Sequence, residues 1–238
     1  MGFFKNLFGG QGDKSPREPT PNGVLKAIKF AKPESKLVLD DAQAICYISQ
    51  ENVAYMLRLN ETPDWDFDLR TLYSAYHFYN NQCSGAKGAM MFLDVAKADD
   101  AEVLRGIFKY RSAKNPLAIM YVGIIWVPFM ECCLQINIEA VEQGTTGVRE
   151  ALVSDLMMAK GTFEMEESFE PAVKVESVEE MFKLIGEKPL KVIPSDDDQW
   201  DEKFPNHPLS LVRKHLRTVT QTLQLEPSMH ALTPFRIA

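Results

Sequence analysis

What this chain lacks sets its first limits. It has no Cys-x-x-Cys pair: Cys46, Cys83, Cys132 and Cys133 are scattered, and the one adjacent couple would point to opposite faces of a strand. A structural zinc site needs four convergent ligands, so no metal is expected, and unpaired thiols of this kind fit a reducing, cytoplasmic setting. With only four histidines the sequence offers no His-Glu-x-x-His. It has no Gly-x-Ser-x-Gly elbow either, and "CSGAKG" at 83–88 lacks the Gly-Lys-Ser/Thr ending of a phosphate loop. The acidic run "SDDDQWDE" at 195–202 has neither the glycine nor the ligand spacing of a calcium loop, and reads as a loop anchored by a buried Trp200. No cofactor is expected from any of these motifs.

Positive charge is scarce as well. Thirty-three acidic against 26 basic residues give a net charge of −7, which argues against a nucleic-acid binder, since phosphate backbones are held by dense basic surfaces. The longest apolar run, "LAIMYVGIIWVPFM" at 117–130, is too short to cross a bilayer and reads as a strand buried on both faces. The opening "MGFFKNLFGG" has neither the apolar core nor the cleavage site of a secretory signal, and no internal repeat is visible.

What is present reads as an α+β chain. Four strand-like segments, 89–97, 102–111, 117–129 and 132–142, are joined by short polar connections and predict an antiparallel meander. In the last of them Leu134, Ile136, Ile138 and Ala140 alternate with Gln135, Asn137 and Glu139, one face apolar and the other polar. Before the meander, "DWDFDLRTLYSAYHFYNN" predicts a helix capped by Asp66 or Asp68, lying on the sheet through Leu69, Leu72, Tyr73 and Tyr76. After it come a helix near 146–159, a short helix opened by the Ser177/Glu180 capping box, and a C-terminal helix with Leu209, Val212, Leu216, Val219 and Leu223 spaced 3, 4, 3, 4. The segment 24–61 shows no dominant period and predicts short elements, one of them helical. The expected fold is an antiparallel sheet of four or more strands with helices packed on one face and an amphipathic C-terminal helix, a single domain over residues 24–238.

Two stretches carry candidate function. Residues 1–8 place Phe3, Phe4, Leu7 and Phe8 on one side of a short amphipathic tip. Residues 9–23 follow with four glycines and three prolines, the composition of a flexible linker. Residues 1–32 hold six basic and two acidic side chains, a local charge suited to an anionic membrane surface or a partner's groove. The second stretch is "EQGTTGVRE" at 142–150, where a glycine and two threonines precede a helix. Gly144, Thr145, Thr146 and Arg149 have the chemistry of an anion site, and Glu139 and Glu142 could act beside them as acid and base. The same residues are what an ordinary junction uses, Gly144 to turn and Thr145 or Thr146 as N-cap. The reading is therefore a non-enzymatic intracellular binding or adaptor protein docking through its N-terminal tip. The alternative is an enzyme or small-anion-binding protein built on Gly144 to Glu150, which requires Arg149 and Glu139 to meet in one concave site.

Overall fold

Alternation of apolar and polar residues builds one long antiparallel sheet. The structure, a computed structural model, describes residues 25–26, 28–162, 177–227 and 229–237. The strands are β1 (Ser35–Asp40), β2 (Ala44–Ser49), β3 (Ala54–Asn60), β4 (Ala89–Ala98), β5 (Ala101–Arg111), β6 (Ile119–Pro128) and β7 (Cys133–Val141). The helices are α1 (Leu72–Gly85), α2 (Val148–Ala159), α3 (Val178–Glu187) and α4 (Pro208–Thr222). The sheet order is β1-β2-β3-β7-β6-β5-β4. Thus the meander β4 to β7 closes against a second, smaller meander, β1 to β3, through the antiparallel β3–β7 pairing. The predicted α+β class with an antiparallel sheet is the observed one. The segment 44–60, which showed no clear period, is a β-hairpin: Asn52 takes the left-handed conformation (φ 58°) that closes its turn, and the Ser49 carbonyl accepts the returning Asn52 N–H.

Register decides which side chains meet. Gly123 on β6 stands opposite Ile107 and Ile138, and Ile125 opposite Ile136, so these residues share a face with Tyr55 and Leu57 on β3. Helix α4 lies on this face and buries Leu209, Val212, Leu216 and Val219, while Leu223 just past its end is buried with them. Each such side chain withdrawn from water contributes about 2 kcal/mol. The approach is closest at Gly123, where a Cβ would stand 3.0 Å from Val212 Cγ1 and 3.3 Å from Leu216 Cδ1.

The expected layer of helices on one face is there, and α1 adds a layer on the opposite one. That second core joins Tyr79 and Cys83 of α1 to Trp65, Phe67, Leu93, Leu104, Phe108 and Trp126. Tyr79 stacks obliquely on Trp126 at 4.5 Å and its hydroxyl accepts a 2.9 Å bond from Trp65 Nε1. The adjacent cysteines part as alternation requires, Cys132 to the first core and Cys133 to the second, where burial pushes their thiols up to about 11 and about 12. Inert structural thiols behave this way.

Helix α1 does not bury the stripe that spacing predicted. Leu69 is buried, but it precedes the helix, and Leu72, Tyr73 and Tyr76 are 39%, 75% and 47% exposed. The buried row is Ala75, Tyr79 and Cys83. The cause lies in the preceding loop, where Trp65 and Phe67 stack at 5.1 Å and with Leu69 already fill the core, so the helix needs only one narrow side. The N-cap is Thr71; Asp68 instead folds its carboxylate onto the N–H of Arg70 at 2.7 Å.

Candidate functional site: a polar crossing between two helix starts

The junction after β7 answers what "EQGTTGVRE" is for. Its N-cap is Gly147, left-handed at φ 73°, where glycine alone is unstrained, so neither Thr145 nor Thr146 caps the helix. Thr145 is exposed and Thr146 half-buried. The anion at this helix start is the chain's own Glu142. Its Oε1 accepts the Gly147 N–H at 3.3 Å and its Oε2 the Ile119 N–H at 2.9 Å, tying the end of β7 to the start of β6. A carboxylate at that place gains from the helix dipole, about 0.3–1 kcal/mol and more when buried. Burial by itself pushes the Glu142 carboxyl up; the bonds from His207, Ile119 and Gly147 outweigh it and hold the group below the usual carboxylate range.

Helix α4 begins beside it. Pro208 occupies the first turn and His207 is the N-cap, its Nδ1 accepting the Leu209 N–H at 3.2 Å. That bond fixes the tautomer, because an amide N–H requires a lone pair on Nδ1 and the ring proton therefore sits on Nε2. Nε2 faces Glu142 Oε1 at 3.5 Å, and the ring lies edge-on to Tyr121 at 5.4 Å. Glu142, Glu150 and His207 bring three ligand atoms within 4.8 Å of one another. They do not suit a metal: the only histidine nitrogen turned to the carboxylates carries a proton, and freeing it would break the cap of α4.

Arg149 is the centre of the crossing. It is 1% exposed. Nε donates to the Ser195 carbonyl at 2.7 Å, Nη1 to Ser210 Oγ at 2.8 Å, and Nη2 to the Asp197 carbonyl at 2.9 Å and to Asp201 Oδ1 at 3.0 Å. Four of the five donors that a guanidinium offers therefore go to its own chain. Arg213 shares Asp201 at 2.9 Å and also reaches the Asp196 carbonyl. Alongside, the buried pair Lys109–Asp196 closes at 2.5 Å, and Trp200, 4% exposed, donates to the Pro194 carbonyl at 3.1 Å. The arrangement pins the loop 194–201 between α2, α4 and β5, and its chemistry is that of a clamp. Sequence spacing could not show this, since Arg149 and its partners lie 46 to 61 residues apart.

The other half of the predicted polar set lies elsewhere. Glu139 is opposite Val122 and Ala54, on the sheet face away from Ile138, in a ladder where Asn60 donates to Gln135, Gln135 to Asn137 and Asn137 to Glu139. Glu142 and Arg149 lie with Tyr121 and α4 on the first face. The sheet therefore stands between Glu139 and Arg149, and the concave site that would combine them is not formed. Phe3, Phe4, Leu7 and Phe8 lie outside the described residues.

The outer side of α1 is a surface that sequence reasoning missed. Tyr73 projects from it with the His77 ring 4.3 Å away, and Tyr76, 6.2 Å from His77, and Leu72 are exposed along its border with the buried row. Exposed Asp64 and Asp66 lie just ahead of the helix. The available signal was aromatic excess, four Tyr and Phe residues among the fourteen of one helix.

Comparison with known proteins adds little. No family model and no curated protein matches the chain. Among solved structures, the Saccharomyces cerevisiae Ran-binding protein Mog1p shares 11% identity at a TM-score of 0.37, over 58% of this chain and 80% of its own. A single-site mutant of protein Mog1 shares 11% at 0.41, over 86% and 94%. Likeness this loose transfers neither partner nor activity. No helix among the described residues is long and apolar enough to cross a membrane.

Proposed function

We propose that this chain is a non-enzymatic binding or adaptor protein whose partner is another protein, docked on the outer face of α1. The observation that carries the reading is the exposure of Tyr73, at 75%, on the side of α1 away from the buried row Ala75, Tyr79 and Cys83, with Leu72 and Tyr76, at 39% and 47%, exposed along the border of that row. Tyrosine on a rigid helix offers large amphipathic contact area with little conformational entropy to lose, and such residues dominate protein interfaces. Exposed Asp64 and Asp66 at the head of the helix, in a chain of net charge −7, match a partner surface of apolar and basic character. The basic, phenylalanine-rich tip at Phe3, Phe4, Leu7 and Phe8 supplies a second contact, to the partner or to an anionic membrane.

The test is photocrosslinking from position 73 in cells, followed by titration of the purified captured protein against the full chain. Replacing Tyr73 and Tyr76 together by serine is expected to weaken binding at least about tenfold, the size of an aromatic hot spot. Unchanged affinity overturns the assignment. Liposome flotation of the intact chain against one starting at Val24 separates the two uses of the tip, with equal and negligible flotation ruling out the membrane.

A further inference from the structure

A cleft of 280 Å³ opens on the sheet face that α1 covers, between that helix, the loop 60–65 and strands β6 and β7. Small-molecule sites run from about 300 to 1,000 Å³, so this one suits the end of a single side chain. Trp65, Phe78, Tyr79 and Trp126 line it. These rings are fixed before anything binds: Trp65 Nε1 donates to the Tyr79 hydroxyl at 2.9 Å and its ring stands edge-on to Tyr79, while the Tyr79 ring lies 4.5 Å from Trp126. A site made of locked groups loses little entropy when it is filled.

Charge says what fills it. Glu61 and Asp64, both exposed, line the same cleft, and among the described residues neither makes an ion pair or a side-chain hydrogen bond, nor does any lysine, arginine or histidine line the cleft beside them. Elsewhere the chain pairs such groups itself, Asp94 with Arg105 and Asp201 with Arg149 and Arg213. Aromatic rings and carboxylates attract the same charge, so walls and rim together select a cation from outside. We propose that this cleft receives an arginine side chain of the protein partner. The inference rests on the reading of the chain as a protein-binding module, and it places the anchor on the flank of α1 formed by Phe78 and Gln82, one turn apart and across the buried row from Tyr76. Arginine fits better than lysine, because a planar guanidinium stacks on rings and its five donors suffice for both carboxylates and the Gln82 amide oxygen, whereas an ammonium is a strongly hydrated point charge. An apolar side chain would leave the two carboxylates unpaired, and an acidic one would be repelled.

The test is an NMR titration of the full chain, labelled with nitrogen-15 at tryptophan, using N-acetyl-arginine methylamide as the probe and its citrulline analogue, equal in shape but uncharged, as the control. The chain has three tryptophans, of which Trp65 and Trp126 line the cleft and Trp200 does not. The indole signals of Trp65 and Trp126 are expected to move saturably with the arginine probe while Trp200 stays, with the lysine analogue weaker and citrulline without effect. Glu61→Gln with Asp64→Asn, checked for folding by thermal unfolding, is expected to raise the dissociation constant of the arginine probe at least about fivefold. Absence of a saturable shift, an equal response to citrulline, or binding that the double variant leaves unchanged overturns the proposal. So does a captured partner that binds the double variant with undiminished affinity. The probe titration needs no partner, so a failure of capture from position 73 strikes the docking face on α1 and is distinct from a failure of the cleft.

Discussion

The junction from Glu142 to Arg149 and the helix from Leu72 to Gly85 make opposite use of residues that look functional. At the junction an arginine, two glutamates and a histidine carry the chemistry of an active site, yet Arg149 gives four donors to its own chain and Glu142 fills the helix start itself. On α1 the large exposed hydrophobic side chains are mostly aromatic, and Tyr73 and Tyr76 stand in water above a buried row of Ala75, Tyr79 and Cys83. Reactive side chains identify a site only when they have bonds left to make. By that measure Arg149 and Glu142 serve the fold, and the association proposed above falls to α1.

The contrast is sharpest in stability. Arg149→Met should be the most damaging of these changes, about 3–5 kcal/mol, because it removes the buried one of the two arginines on Asp201 and strips two carbonyls and Ser210 of a donor. Chemical denaturation reads it, and a loss under about 1 kcal/mol would mean the clamp is dispensable. Gly123→Val comes next at about 1–3 kcal/mol, since its side chain enters the contact between β6 and α4 at Val212 and Leu216.

A smaller effect is pH-dependent. His215, 3% exposed on α4, donates its Nε2–H to Glu51 Oε2 at 2.9 Å, with Lys214 also on Glu51 and Tyr55 edge-on to the ring. Burial, the larger cause, pulls its pKa below the ordinary 6.5, and the Glu51 contact only partly offsets this. The unfolded chain therefore binds the proton first: this contribution is full above 6.5 and is lost as pH falls below it. His215→Gln should flatten the dependence of the unfolding midpoint in that range, and an unchanged slope would remove His215 as its source. Smallest of all, Tyr73→Ser with Tyr76→Ser should move stability by no more than about 0.5 kcal/mol, as surface changes do. A large loss would place those rings in the fold and not at an interface.

How much of this was legible in the sequence depended on range. Strands β4 to β7 are written in local alternation and appear within two residues of their expected bounds, and the Ser177 cap of α3 forms its bond to the Glu180 N–H at 3.0 Å. The buried row Leu209, Val212, Leu216 and Val219 was equally local. The hairpin of β2 and β3 was not, because its strands mix helix formers with β-branched residues and are decided by pairing with β7. Nor was the orientation of α1, which depends on Trp65 and Phe67 reaching the core first. The use of Glu142 and His207 as caps needed strand β6 and helix α4 beside them, contacts 23 residues apart in one case. Glycine and threonine before a helix announced a helix start correctly and could not announce that its anion was built in.

The most direct measurement is thermal unfolding of the full chain with and without formate and inorganic phosphate, at concentrations too low for a general salt effect, beside Glu142→Ala. The account predicts that neither anion moves the intact chain, whose junction is filled by Glu142, and that formate raises the lowered midpoint of Glu142→Ala by replacing the missing carboxylate. Stabilisation of the intact chain by phosphate, retained in Glu142→Ala and lost in Arg149→Lys, would contradict it and make the junction an anion site after all.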